Sequence, residues 1–420
     1  MLEHAKAFTL TTPPSFQCYD CSGCGACCRG RFAIIISRED RERLRDQQWD
    51  TEALGLHGQP LCTPHGEGFQ LAHRADGTCV FLDENGKCLI HAKFGEPAKP
   101  LPCRLYPFRF VPLGTQVRVD VRFDCPASAG NMGRALPAHR PALLKLLDQV
   151  LPAGMATAPA PPLYGRVQPS WAQLCRITET FERLLLHRAL GLTPRIVCGL
   201  TFAALLQSPR ITTLDGRKLT EFLDTVSQKI LEAIAREPLP RVAPPAFVRT
   251  TFRQLAGLYG RLDTRGEQVN LLARLRTAIT MATGRGQVPA FRSDFPPVSF
   301  AEIEAFSGAP APDAAEVFER YLHLRLSSMS FFGPSFYQQD YLAGMNALLL
   351  TYPLLCWFAH ALAVGRQLPA PDAACAVEAL QIVDHQHGIS PLLNLPNERY
   401  RRNFLCDRSH LRRLVIWYGS

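Results

Sequence analysis

The chain has 420 residues, 46 basic against 37 acidic for a formal net charge of +9, with 47% apolar and 20% charged residues. That length leaves room for two domains and a sizeable core, and the apolar share excludes a disordered chain. A positive balance spread this thinly suits an anionic cofactor or an acidic partner, but it lacks the concentrated basic face that nucleic acid requires.

The first 12 residues carry no basic stretch followed by an apolar run and a small-residue cleavage site, so the expected location is the cytoplasm. In a reducing compartment, 15 cysteines point to metal or redox chemistry rather than to a disulfide framework. Ten of them fall between Cys18 and Cys125, and Cys175, Cys198, Cys356, Cys375 and Cys406 are scattered singly beyond. The expected fold class is α+β: a small, irregular, cysteine-rich metal-binding domain with short strands, followed by a larger, mainly α-helical domain. Short apolar pieces at 32–36, 79–82 and 117–123, punctuated by glycine and proline, read as strands. So irregular a half builds little core, and bound metal would supply the missing stability.

Pro152, Pro159, Pro161 and Pro162, with several alanines, mark a linker over 151–170, which separates a cysteine-cluster domain over 1–150 from a helical domain over 171–420. Helical periodicity runs through 171–190, 219–235, 247–262, 269–281 and 315–326, with prolines between. The stretch 342–364 has no charged residue and is long enough to span a bilayer, yet Asn346, Thr351, Pro353 and His360 interrupt it. It reads as a buried central helix, and no membrane span is expected. Arg401, Arg402, Arg408, Arg412 and Arg413 near the C-terminus read as a solvated helix face, so no nucleic-acid partner is expected.

The chemistry concentrates in Cys18-Tyr-Asp-Cys21-Ser-Gly-Cys24-Gly-Ala-Cys27-Cys28. Two-residue spacings let a tight turn aim successive thiolates at one centre, and Gly23 and Gly25 allow the positive backbone angles that such wrapping requires. Cys18, Cys21, Cys24 and Cys28 also match the spacing of bacterial ferredoxins, although Arg29 stands where those carry proline and no second copy exists. Neighbouring side chains point apart, so either one of Cys27 and Cys28 faces a second metal or one is a ligand and the other a buried apolar thiol.

Further thiols come from Cys79, Cys88, Cys103 and Cys125. Asp83-Glu-Asn-Gly86 is a turn signal that predicts a hairpin with Cys79 and Cys88 close across its two strands. Prolines around Cys103 stiffen its loop. The candidate metal ligands are thus Cys18, Cys21, Cys24, Cys27, Cys28, Cys79, Cys88, Cys103 and Cys125, with His91 in reserve; two four-coordinate sites or one four-iron cluster with spare cysteines are equally consistent. Arg29, Arg104 and Arg109 either screen thiolate charge, bind an anionic substrate, or are ordinary surface arginines. All-thiolate ligation suits both iron–sulfur and zinc, and the ferredoxin-like spacing favours a 4Fe-4S cluster.

These residues resemble the CxxCxxCC, or YkgJ-like, cysteine-cluster family of zinc- or iron-chelating proteins. The likeness rests on Cys21-x2-Cys24-Gly-x-Cys27-Cys28, on Cys79-x-Phe-Leu-Asp-x-x-Gly-x-Cys88-x-Ile-His91 and on Lys99-Pro-x-x-Cys103-Arg-x-Tyr-Pro, and it covers about 17–126. Cys18 and Cys62 are additional to the family pattern. The helical half is similar in outline to the flagellin lysine N-methylase subgroup, in Phe318-Glu-Arg-Tyr321, the apolar stretch 341–364 and the helix expected over 372–387. That resemblance implies methyl transfer from S-adenosylmethionine to a lysine of a protein such as flagellin, with an iron–sulfur cluster present. Neither a glycine-rich Rossmann loop nor the radical S-adenosylmethionine spacing is found, the latter because Arg31 stands where a third cysteine would be needed, so no catalytic residue is assigned. The other reading is a non-enzymatic metal chelator, carrier or redox-sensing scaffold whose helical domain binds a partner.

Overall fold

The computed structural model describes residues 8–30, 33–207, 214, 216–236, 238–261, 271–292, 295–306 and 308–420. Arg31, Phe32, the first seven residues, Leu262 and positions 269–270 of the expected elements lie outside the described residues. The architecture is α+β, with short strands in the first third and helices thereafter.

Two small sheets organise the first third. In one, β1 (Thr9–Leu10) runs parallel to β6 (Gln116–Val121), which pairs antiparallel with β5 (Phe108–Leu113) through a tight turn at Gly114 with φ +66°. In the other, β4 (Gly68–Leu71) lies antiparallel between β2 (Ile35–Ile36) and β3 (Cys62–His65). The strand expected over 79–82 is instead a turn at 80–81 between isolated bridges at Cys79 and Leu82. Val80 and Phe81 are drawn into a local core, so the segment follows burial rather than a ladder.

That local core comprises Ile36, Leu44, Leu54, Leu56, Leu71, Cys79, Val80, Phe81 and Ile90, and it defines a small lobe. The sheet of β1, β6 and β5 belongs elsewhere. Val117, Val119, Val121 and Phe123 are continuous with the core of the helices that follow, so β5 and β6 form part of the large body. The proline-rich stretch 151–170 is fastened to that body. Pro162 and Leu163 accept hydrogen bonds from the amides of Tyr341 and Leu342 at 2.9 and 3.0 Å, and Ala160 and Leu163 are buried.

The helices start where local chemistry dictates. Ser170 and Gln173 form a capping box for the helix Trp171–Leu185, Asp340 caps Tyr341–Gly365 and Asp372 caps Ala373–Gln386, while Pro312 and Pro396 occupy first turns. Tyr341–Gly365 is one helix long and apolar enough to cross a membrane, but 94% of its apolar window is inside the fold. It touches the helices Leu192–Leu205, Ala373–Gln386 and Arg408–Gly419, as a helix apolar on every side must in order to bury all its faces.

Candidate metal centre

The cysteine motif is a strap between lobe and body. Its first limb is stitched to the body: the Tyr19 amide donates to the Arg134 carbonyl at 2.9 Å, the Leu136 amide to Gln17 at 2.9 Å, and Arg320 from the helix Pro312–Ser328 reaches the Gln17 side chain at 2.8 Å. Asp20 is paired with Arg134, whose hydrogen bonds hold its carboxyl down to about 2. Its second limb docks on the lobe. The amide of Cys79 donates to the Cys28 carbonyl at 2.9 Å.

Gly25 makes that docking possible. With φ +68° it sits at the start of the short helix Ala26–Arg29, and a Cβ there would lie 2.4 Å from the Gly86 carbonyl oxygen. Gly23 also has positive φ, at +67°, as the spacing of the motif requires. Arg29 folds back to donate to the Cys24 carbonyl at 2.7 Å and approaches Gly86, so its guanidinium pins the loop.

Around Gly86 the Asp83 side chain accepts from the Lys87 amide at 2.6 Å and the Gly86 amide returns to the Asp83 carbonyl, which confirms the turn. The two thiols that flank it are not directly opposed. Cys88 pairs with Leu82 and Cys79 with His73, because Cys88 opens the helix Leu89–Phe94 instead of continuing a strand. Cys103 rides on the helix Leu101–Leu105. That helix is held by Asp40, a buried carboxylate that accepts from the Leu101 amide at 2.9 Å and pairs with Arg43 at 3.1 Å.

Five thiols consequently share one neighbourhood: Cys27 and Cys28 from the strap, Cys79 and Cys88 from the lobe, and Cys103 from the loop beyond it. The Cys27 and Cys28 sulfurs are 4.0 Å apart. Cys27, exposed on the strap, is raised chiefly by its contact with Cys28. Cys28 is drawn down by Cys27 but pushed up more by Cys79, by burial and by Cys88, to about 12. Burial raises Cys103, reinforced by Cys28, Cys27 and Cys88. Crowded thiols of this kind must stay protonated unless a cation takes up their charge, so the donor set fits a thiophilic metal or an iron–sulfur cluster, which would hold them as thiolates. Among the described residues no three His, Cys, Asp or Glu side chains close to the spacing of one ion's coordination shell.

Cys21 and Cys125 flank this group from the body side, across the buried ring of Tyr19. Cys18 lies beside Arg320, with its amide on the Asn131 side chain at 2.6 Å, and Cys24 is exposed on the strap; neither is among the five. Cys62 sits apart on β3 near Arg41, and His91 is exposed.

The arginines separate into distinct roles. Arg104 reaches Gln149 at 3.0 Å. Arg109 is neither a thiolate screen nor a surface residue: from β5 it donates to the Ser335 carbonyl at 2.9 Å and lies 3.7 Å from Asp120. The cation beside the thiols is Lys99, whose charge lowers Cys27 and Cys103 against the stronger opposing effects. Its place in Lys99-Pro-Leu-Pro-Cys103, four residues before a ligand candidate, was the available signal. Tyr106 and Asp124 were also not foreseen; the Tyr106 hydroxyl donates to Asp124 at 3.1 Å, next to Cys125 in the chain.

Comparison with curated proteins and with solved structures gave no match. Residues 20–125, about a quarter of the chain, match the family model CxxCxxCC, described as "Putative zinc- or iron-chelating domain".

Proposed function

We propose that the thiols at the seam between lobe and body hold an iron–sulfur cluster, with a four-iron cluster favoured over zinc, and that the ligands come from Cys21, Cys27, Cys28, Cys79, Cys88, Cys103 and Cys125. The gathering of Cys27, Cys28, Cys79, Cys88 and Cys103 from separate chain segments carries this reading. Cys18 and Cys24 complete the proposed set as ligands that close on the centre when it is loaded. Bound there, such a cluster supplies one-electron chemistry or a Lewis-acidic iron. The chain's own residues orient it: Asp40 fixes the Cys103 helix, Gly25 seats the strap on the turn, and Lys99 offsets thiolate charge.

Anaerobic purification with absorbance spectroscopy and metal analysis tests the proposal. A brown protein with stoichiometric iron and sulfide is expected; colourless protein with one or two zinc ions would replace the cluster with zinc, and metal-free folded protein would end it.

For the activity, we propose a cytoplasmic protein-lysine N-methylase that uses S-adenosylmethionine on a protein such as flagellin. The resemblance of the helical body to the flagellin lysine N-methylases supports it. Incubation of cluster-loaded protein with labelled S-adenosylmethionine and flagellin should give lysine mass shifts in steps of one methyl group. Without transfer, the chelator, carrier or redox-sensing scaffold remains.

A further inference from the structure

Behind β5 and β6, where the sheet meets the helical body, a second cluster of polar side chains has no part in the thiol chemistry. Arg325 bridges Asp120 of β6 and Asp384 of the helix Ala373–Gln386, and Arg109 joins Asp120 from the other side. Next to them, Nδ1 of His387 lies 2.9 Å from the Tyr259 hydroxyl, in hydrogen-bond contact, and the ring lies in the fields of Arg325, Arg402 and Arg109. The Arg402 guanidinium stands over the rings of Phe336 and Tyr337, and one of its nitrogens donates to the Leu393 carbonyl at 3.2 Å.

Several polar atoms here lack a protein partner. They are the second terminal nitrogen of Arg402, Nε2 of His387, the hydroxyl of Ser390 and the hydroxyl proton of Tyr321, whose oxygen faces the Arg325 guanidinium, all on side chains that are fully or almost fully buried. Orphaned groups in one buried place are costly, and native folds keep them where something else completes the bonding. The local charge does not close either. Among the described residues, Arg109 and Arg325 pair with Asp120 and Asp384, Arg402 pairs with no carboxylate, and Glu398, one turn before Arg402, is spent on Arg401 and Asn397. Water could satisfy the donors, but it could not neutralise the extra guanidinium.

We propose that this junction is a binding site for a small carboxylate, held by Arg402, His387, Ser390 and Tyr321. A carboxylate carries the single negative charge that the cluster lacks and accepts about four hydrogen bonds, one for each orphaned donor. In the tautomer whose Nδ1 accepts from Tyr259, His387 presents Nε2–H as a donor, and burial among three arginines keeps the ring neutral. The wall on one side is a loop in which Tyr337 and Gln338 both take left-handed backbone angles, at φ +51° and +57°. Consecutive non-glycine residues in that conformation persist where the surroundings over-determine them, as at ligand sites. The carboxylate is either a free small acid or the amino-acid end of a larger ligand, and the same contacts serve both.

The test is thermal unfolding of the full-length, metal-loaded protein with formate, acetate, methionine or chloride at matched ionic strength. Saturable stabilisation by formate or acetate beyond chloride is expected, lost in Arg402→Met and weakened several-fold in half-saturating concentration by Ser390→Ala and by Tyr321→Phe. Those two variants keep the test decisive should Arg402→Met fail to fold. Methionine acting at lower concentration than acetate assigns the site to an amino-acid ligand, and the reverse order to a free acid. Equal effects of carboxylate and chloride, or shifts unchanged in all three variants, would overturn the proposal, as would a crystal soaked in formate with only water between Arg402 and His387.

Discussion

The lobe and the body solve the same problem with different means. The body buries a continuous core that runs from Phe8 through β5 and β6 to Tyr418 and encloses the 25-residue helix Tyr341–Gly365 on all sides. The lobe's core cluster has nine buried residues among those described, beside a sheet of three short strands. A core that small yields little net stability once chain entropy is subtracted, whereas the body's core is self-sufficient. Four of the five gathered thiols sit on the lobe or on the strap limb docked to it, so the inorganic centre lies where packing is thinnest.

The largest expected effect breaks this comparison directly. Removing the metal with a chelator should abolish protection from hydrogen exchange across 34–98, a loss on the order of 10 kcal/mol of coupled binding energy, while 171–205 and 341–386 stay protected. Uniform loss of protection throughout would show that the body leans on the centre as well. Substitution of single thiols comes next. Cys27→Ser and Cys24→Ser should strip the metal in elemental analysis, and Cys356→Ser, inside the central helix, should leave it in place; for Cys24, which is exposed outside the five, the result decides whether the strap closes on loading.

Where the sheet meets the helical body, Arg325→Met leaves buried Asp384 without its cation and buried Asp120 with Arg109 alone, and should cost about 3–5 kcal/mol in denaturant titration without altering metal content. Gly25→Ala forces a side chain against the Gly86 carbonyl at a positive φ. About 2 kcal/mol should be lost, confined to the lobe and visible as faster proteolysis of the strap.

The smallest effect is a pH dependence within the body. Burial raises Glu182 to about 7, more than the nearby Arg118 lowers it. The folded state therefore holds this proton more tightly than the unfolded chain: the contribution is complete below the ordinary glutamate value and fades as pH rises through 7. Glu182→Gln should flatten that decline by about 1 kcal/mol, since the group is partly solvated.

Sequence periodicity located the body's helices well where one face is apolar, and poorly elsewhere. The expected helices over 171–190 and 315–326 appear as Trp171–Leu185 and Pro312–Ser328, whose ends follow capping groups rather than periodicity. Leu192–Leu205 is apolar on nearly every side and left no stripe to read, and Arg38–Asp46 has Leu44 as its one apolar residue. In the site, spacing made the strap legible, because Gly23 and Gly25 advertise the backbone they need. Spacing could not show that Arg109 turns away into the body, since its partners Asp120 and Ser335 are set by tertiary packing. The same holds for Asp40, a distant carboxylate that holds the Cys103 helix.

The chain just before Cys125 has one more consequence. The amide of Phe123 donates to Asp384 at 2.6 Å, so the strand that delivers this cysteine is gripped, two positions upstream, by the carboxylate that also receives Arg325. Any shift of that sulfur on loading, oxidation or loss of the inorganic centre pulls on an anchor inside the α-helical core. Occupancy of the cysteines is in this way mechanically legible some distance away, along a lever only three residues long.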